Sequence, residues 1–298
     1  MDERKVIVIG AGAAGLSAAY ALKKRRIPVL LLEAHDKAGG RMAGDTIGEF
    51  WVETGAQLFS SGYTIALQLA EELGVGFDRS PVATLSTIYN NRTNRAGVLN
   101  LASVFNFRNF KTFLTSGIFS LKGTAQFLKF IRFMRKREDD FRSENYSRLE
   151  DLDVEASFTE WSRREFGDEF LEEFCRCAIA SITLTTPERI SALNGMMMLW
   201  ATFLDNRHTL LTPNRGVGYF SQQLARACDD VTRLETTVEQ VFIEDGKTIG
   251  VRTLEDGLLE ADAVICATQA STTAKLAPQI PLPTQEFLKS IRYNNAVM

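Results

Sequence analysis

The chain of 298 residues carries only two histidines and four cysteines, and each scarcity removes a class of chemistry. Zinc sites and hydrolytic triads both draw on histidine held close to partner side chains. His35 follows an acidic residue and His208 lies in a polar loop, and neither stands near another plausible ligand. No metal site is therefore expected. Cys175, Cys177, Cys228 and Cys266 are too few and too scattered for a disulfide framework, which fits a reducing compartment. Cys175 and Cys177 are separated by a single residue in a helical stretch, a spacing foreign to zinc knuckles, and read as buried structural thiols.

Long apolar runs are also missing. No window approaches an uninterrupted membrane span, and Met1-Asp2-Glu3-Arg4-Lys5 leads into a strand without a signal-peptide core. A cytoplasmic location is the expectation. The net charge of −3 offers nothing to attract nucleic acid. With 45% hydrophobic residues, the chain can bury a sizeable core and reads as a globular protein.

What is present begins at once. Val6-Ile7-Val8-Ile9 is wholly apolar, as a parallel strand covered on both faces requires. Gly10-Ala11-Gly12-Ala13-Ala14-Gly15 follows with G-x-G-x-x-G spacing, then helix formers continue to Lys24. Gly10 serves the tight turn, Gly12 the approach of a pyrophosphate, and Gly15 close packing of helix on strand. The helix N-terminus, at Ala13 and Ala14, favours anions through free N–H groups and the dipole. Lys24, Arg25 and Arg26 suit its C-terminal end. A second strand, Val29-Leu30-Leu31-Leu32, ends on Glu33, where an acid accepts hydrogen bonds from an unphosphorylated ribose. Strand, glycines, helix, strand and acid in this order form the ADP half of a Rossmann-type dinucleotide site.

The next residues, Ala34 and then Gly39-Gly40-Arg41-Met42, complete a pattern that resembles the FAD-dependent superfamily of amine oxidases, protoporphyrinogen oxidases and phytoene desaturases. The resemblance implies FAD as cofactor, with Arg41 beside its pyrophosphate; glycines that admit the loop and a guanidinium that complements phosphate agree with it. Glu53-Thr54-Gly55-Ala56-Gln57 is similar to the family's acidic-x-Gly-Ala segment, which implies that Gly55, Ala56 and Gln57 run beside the flavin ring. Phe158–Trp161 and Phe166–Phe170 resemble its substrate-domain helices, and Thr212–Phe220 its re-entry into the cofactor domain. Ala261–Ala270 is similar to a strand and loop that imply Ala267 and Thr268 at the cofactor, and the residue matching Val238 contacts adenine through its backbone.

Val231–Leu234 reads as a short strand. Val238–Glu244, Thr248–Thr253 and Leu258–Glu260 form an antiparallel meander punctuated by Asp245-Gly246 and Asp256-Gly257, both tight-hairpin signals, and Val264–Cys266 returns as a buried strand. Between these pieces lies an insertion: a hairpin over Leu85–Asn100, then helices from about Ser103 to Trp200. The expected fold is α/β, a Rossmann-type FAD-binding domain with a β-meander plus an inserted, mostly helical α+β substrate domain. Its expected boundaries are 1–80 and 210–280 for the first, 81–209 and 281–298 for the second.

From Phe105 to Arg137, phenylalanines (Phe107, Phe110, Phe113, Phe119, Phe127, Phe130, Phe133) alternate with basic residues, with no acid until Glu138. Ordinary packing, aromatics inward and cations outward, is the favoured reading. The alternative is peripheral contact with a membrane through 105–137, or a channel for an apolar substrate. No catalytic side chain announces itself. Gln57, with Thr54 beside it, is the candidate polar group near the flavin, and Trp200 and Phe203 suit core packing better than a pocket.

The resembled family continues through a Gly-Asp motif and a further helix, whereas Ile291–Met298 reads as the start of an apolar strand. Truncation, a second polypeptide supplying the missing C-terminal segment, or a non-catalytic relative would each account for it. The expected function is FAD-dependent removal of hydride from a C–N or C–C bond of a small, apolar organic molecule. A dinucleotide-binding subunit without turnover is the alternative, and Gly39-Gly40-Arg41 argues against an NAD(P) enzyme.

Overall fold

The computed structural model describes residues 5–79, 85–91, 93–100, 117–142, 146–152, 154–205 and 210–294. They fall into two compact units, Met1–Arg79 with Leu211–Met298, and Ser80–Leu210.

The first unit is organised by β1 (Val6–Ile9), which pairs in parallel with β2 (Val29–Leu32) on one side and β14 (Ala263–Cys266) on the other. β10, only Thr232–Arg233, extends the sheet to the order β10-β2-β1-β14. The alternation of β1 explains its all-apolar sequence. Val6 and Val8 pack with Leu16 and Ala19 of α1 (Ala13–Lys24), whereas Ile7 and Ile9 pack with Val241 and Val251 of the meander. All four are buried, so neither face tolerates a polar residue.

After β2 the chain makes a short helical turn at Gly40–Met42 and a hairpin of β3 (Gly44–Ile47) and β4 (Phe50–Glu53). β5 (Phe59–Ser60), α2 (Thr64–Glu72) and β6 (Phe77–Arg79) follow. β6 pairs antiparallel with β9 (Leu210–Pro213), Phe77 opposite Pro213 and Arg79 opposite Leu211, so departure and return of the chain lie side by side.

The second unit opens with the expected hairpin, β7 (Leu85–Asn90) paired with β8 (Arg95–Asn100). Its helices are α3 (Leu121–Lys136), α4 (Glu138–Arg142), α5 (Phe158–Glu165), α6 (Asp168–Phe170), α7 (Arg176–Thr183) and α8 (Ala192–Leu199). Ser120, Ser157 and Ser191 cap α3, α5 and α8, and Glu160 completes a capping box at Ser157. Phe119, Phe127 and Phe130 are buried with Phe166, Phe170 and Phe174; Phe130 lies 4.8 Å from Phe170, centroid to centroid. Phe133 is half-buried against the same cluster. Over 119–133 the aromatic spacing is therefore core packing. Phe107, Phe110 and Phe113 lie outside the described residues. Trp200 is buried and stacks on Phe141, as packing rather than a pocket requires.

Back in the first unit, α9 (Val217–Ala227) leads to β10 and then the meander β11 (Val238–Glu244), β12 (Lys247–Thr253) and β13 (Gly257–Glu260). Glu244 pairs with Lys247 across Asp245-Gly246, both at positive φ, which makes the expected two-residue turn. Asp256-Gly257 behaves differently. Thr253 pairs with Gly257, so the loop has three residues and the glycine, at φ 74°, closes it.

Four further expectations are corrected. Among the described residues β14 ends its sheet, and Val264 and Cys266 are only half-buried while Ile265 is 38% exposed. The stretch 281–298 is expected in the insertion, but α11 (Leu282–Ser290) packs on α10 (Ala270–Leu276) within the first unit. Gln285 Nε2 anchors it, donating to the carbonyls of Ala274 (3.0 Å) and Ala277 (2.6 Å). Ile291–Asn294 is not a strand; Tyr293 Oη instead accepts from the Ala270 N–H at 2.8 Å. Finally, Cys175 is buried but Cys177, on the outer side of α7, is exposed.

The thiols provide a test. Burial pushes the Cys175 thiol well above its ordinary value and the Cys228 thiol up to about 11, whereas Cys177 faces solvent. Titration with an aromatic disulfide at neutral pH is expected to modify Cys177 first, with Cys175 and Cys228 reacting only in denaturant. Rapid native modification of Cys175 would contradict the packing of the second unit.

Candidate dinucleotide site

The site is assembled where β1, β2 and β14 end and α1 begins. Each motif glycine meets a different physical demand. Gly10 has φ 98°, a conformation that favours glycine. Gly15 allows contact: a Cβ there would lie 1.8 Å from the Gly10 carbonyl oxygen. Gly12 has ordinary φ and ψ, and a Cβ on it would have no atom within 4 Å. The space beyond Gly12 is therefore open, at the N-terminus of a helix that has no side-chain cap. The first-turn N–H groups, at Ala13, Ala14 and Gly15, have no intrahelical acceptor, which suits an anion.

Glu33, just past β2, turns its carboxylate across this turn. Oε2 accepts from the Ala11 N–H at 2.7 Å and Oε1 from the His35 N–H at 3.1 Å. Each oxygen keeps a second lone pair, so the oriented carboxylate can still receive ribose hydroxyls. Ala34 and His35 beside it are exposed. The Thr236 N–H donates to the Glu33 carbonyl (2.8 Å), which brings the approach to β11, and Val238 two residues on, to the same end. From the other neighbour, Ala267 and Thr268 abut the turn: the position of a Gly10 Cβ would be 3.3 Å from the Ala267 carbonyl oxygen and 3.5 Å from Thr268 Cγ2.

The Gly39–Met42 turn is pinned directly to the cradle. Gly39 N–H donates to the Ala11 carbonyl at 2.8 Å, and a Cβ on Gly40 would lie 3.1 Å from Gly12 Cα. Gly39 and Gly40 both have positive φ, at 119° and 53°. Arg41 is exposed on this turn, and no ion pair among the described residues engages its guanidinium. The strap 54–57 runs back over the turn. Ala56 N–H donates to the Arg41 carbonyl at 2.9 Å, and a Cβ on Gly55 would fall 2.0 Å from that same oxygen. Gln57 is exposed. Beside it, the Thr54 hydroxyl is used structurally, donating to the Ala43 carbonyl at 2.9 Å.

All the residues expected at a cofactor thus gather in the first unit, at one end of one parallel sheet. Sequence reasoning gave no role to four contributors: Ala11, whose backbone N–H and C=O bridge Glu33 and Gly39; Trp51; Glu53, quoted there only as the acid of its segment; and Ser221, whose hydroxyl donates to the Met42 carbonyl at 2.9 Å. Ala11 lies inside the motif, yet its bonds depend on segments brought in by folding. An acid at position 53, before Gly55-Ala56, was the available signal for Glu53. No group of ligands suited to a metal ion occurs among the described residues. A groove of about 750 Å³ extends along α1 from Ala13 to Arg25, with Met42, Ala56 and Phe59 in its lining.

Comparison with known proteins gives the family and the fold. The model of the family described as flavin containing amine oxidoreductase matches residues 13–297. A putrescine oxidase of Kocuria rosea is 44% identical over 73 residues, covering 24% of this chain and 15% of that protein. Protoporphyrinogen oxidase 2 of Arabidopsis thaliana is 24% identical over 197 residues, 66% of this chain and 36% of that one. Among solved structures, putrescine oxidase bound to putrescine superposes with a TM-score of 0.74 at 22% identity, covering 96% of this chain. An oxidoreductase from Methanosarcina mazei superposes with a TM-score of 0.70 at 19% identity, covering 97% of this chain and 65% of its own. The chain spans 63% of the length of the putrescine oxidase structure.

The glycines separate binding from stability. Gly12→Ala is expected to retain unfolding stability within about 1 kcal/mol while losing ADP affinity, because its methyl group occupies the open space. Gly15→Ala is expected to lose about 1–3 kcal/mol through collision with the Gly10 carbonyl. Urea unfolding and calorimetric ADP titration of both variants measure the contrast; equal stability losses would refute it.

Proposed function

Because the chain belongs to the flavin-containing amine oxidoreductase family, we propose that it forms the cofactor-binding and substrate-binding parts of an oxidoreductase that takes hydride from a C–N or C–C bond. Its cofactor is FAD. The observation that carries the reading is the continuity of the cradle: Gly12 lies against Gly40, and the Arg41 carbonyl holds the strap at Ala56. One hydrogen-bonded surface therefore extends from the helix N-terminus to Gln57.

The residues present fit the group. The open space at Gly12 and the N-terminus of α1 receive the pyrophosphate, with the charge of Arg41 beside it. Glu33 receives the ribose hydroxyls, the backbone at Val238 the adenine, and Ala267 and Thr268 close the turn. Gly55, Ala56 and Gln57 line the isoalloxazine side. The redox chemistry is that of the isoalloxazine, and the protein contributes binding, orientation and exclusion of water.

In this reading 1–80 and 210–280 form the FAD-binding domain and 81–209 the substrate domain. The substrate is a small organic molecule. Relatives named for putrescine and for protoporphyrinogen span a diamine and a tetrapyrrole. The idea of an apolar substrate loses the support of Phe119, Phe127 and Phe130, which form core. No helix among the described residues is long and apolar enough to cross a membrane. Peripheral contact keeps one supporting feature, the outer face of α3, where Leu121 is 95% and Leu128 43% exposed among Lys122, Lys129, Arg132 and Lys136. A binding subunit without turnover has no observation of its own in its favour.

The visible spectrum of the purified chain, with and without added FAD and dithionite, tests the proposal. A yellow protein bleached by dithionite is expected. A colourless chain that takes up no FAD would overturn it, and colour only in the presence of a co-purifying polypeptide would assign the flavin end to that partner.

A further inference from the structure

Three consecutive carbonyls, those of Arg41, Met42 and Ala43, are held by donors from two segments remote in sequence. The strap supplies two: Ala56 N–H to Arg41 (2.9 Å) and Thr54 N–H to Ala43 (3.1 Å). α9 supplies the third, Ser221 Oγ to Met42 (2.9 Å). Glu53 joins those two segments to each other. It ends β4, immediately before the strap, and its Oε2 accepts from the Gly218 N–H in the first turn of α9 at 2.9 Å. The residue at the head of that helix, Gly216, has no side chain with which to cap it. A carboxylate from position 53 therefore does the capping, where the helix dipole favours negative charge.

The other oxygen is equally committed. Glu53 Oε1 accepts from the Trp51 indole N–H at 2.9 Å. The indole sits in a slot walled by glycines: a Cβ on Gly44 would lie 2.3 Å from its Cζ2, one on Gly218 2.5 Å from the same atom, and one on Gly216 3.0 Å from Nε1. A Cβ on Gly216 would also reach within 2.0 Å of Glu53 Oε1. The glycines are thus explained by the room that this Trp–Glu pair occupies.

We propose that Glu53 is a positioning residue for the cofactor site. It closes a triangle of α9, the strap and the Gly39–Met42 turn, and so sets where Arg41 and Gln57 stand relative to the cradle. Glu53 touches no cofactor in this assignment; it acts through the backbone on either side. The inference rests on the FAD reading for its functional consequence, but the mechanical coupling is a property of the protein alone.

Glu53→Gln is the informative variant. Glutamine keeps the shape but presents an NH₂ to one of two N–H donors, so one contact becomes donor against donor. FAD affinity is expected to fall about tenfold or more, as for loss of one charge-assisted hydrogen bond. In the FAD-free protein, amide hydrogen exchange is expected to accelerate at Thr54 and Ala56 as well as Gly218, and to stay unchanged at Val241 and Val251 of the meander. Acceleration at Gly218 alone would make Glu53 a local cap and overturn the inference, as would a variant with unaltered FAD affinity. Uniform acceleration, including the meander, would reduce it to general stability and also overturn it. If Glu53→Gln does not fold, Glu53→Asp, which keeps the charge but shortens the reach by one methylene, is judged on the same readouts. Failure of the wild-type chain to take up FAD would sink the functional reading, and the exchange pattern would still decide the coupling.

Discussion

The contact between Gly15 and the Gly10 carbonyl governs the first unit. With only 1.8 Å available where a Cβ would stand, α1 rests directly on the turn that leaves β1. That closeness places the free N–H groups of the helix at the end of the sheet, beside the ends of β2 and β14. Glu33 and Ala267–Thr268 reach the same point because parallel strands in register end together. A looser helix would still be a helix, but its N-terminus would no longer meet the acid that ends β2.

Around this point the chain uses backbone hydrogen bonds more than side chains. Ala11 receives Gly39, Arg41 receives Ala56, Ala43 receives Thr54, and Glu33 receives Thr236. Such links leave the surface facing the cradle made largely of main chain and small residues. That suits a polyanionic ligand, since N–H groups can approach phosphate where a larger side chain would intervene. Arg41 then stands out as the exposed cation on a rigidly held turn. The second unit follows another logic. Interlocked phenylalanines, together with helices capped by Ser120, Ser157 and Ser191, form a core of its own. The insertion is tolerated because its two connections, β6 and β9, are neighbouring strands within the first unit.

Much of this was legible in the sequence, for a physical reason that differs from element to element. Val6–Ile9 announced a strand buried on both faces because every residue is apolar, and both faces are in fact covered. Asp245-Gly246 announced a two-residue turn because both residues adopt positive φ there. Asp256-Gly257 carried the same signal and made a longer loop, since the pairing of Thr253 with Gly257 set the register. Val264–Cys266 read as buried from its composition, but composition does not say whether a strand lies inside or at the edge of its sheet. Thr54 reads from sequence only as the neighbour of Gln57, and nothing local shows that a carbonyl eleven residues earlier in the chain takes its hydroxyl.

The order of strand, glycines, helix, strand and acid, each a local requirement of dihedral angle, space or charge, determined by itself that the chain opens on a dinucleotide cradle. Gly39-Gly40-Arg41 extended that reading towards FAD through a resemblance. Only the tertiary structure decided what holds the turn in place. Glu53 meets Gly218 across 165 residues of sequence, and Trp51 fills a slot whose walls come from Gly44, Gly216 and Gly218. No local pattern encodes those contacts, because a carboxylate becomes a helix cap only when folding delivers an uncapped helix to it.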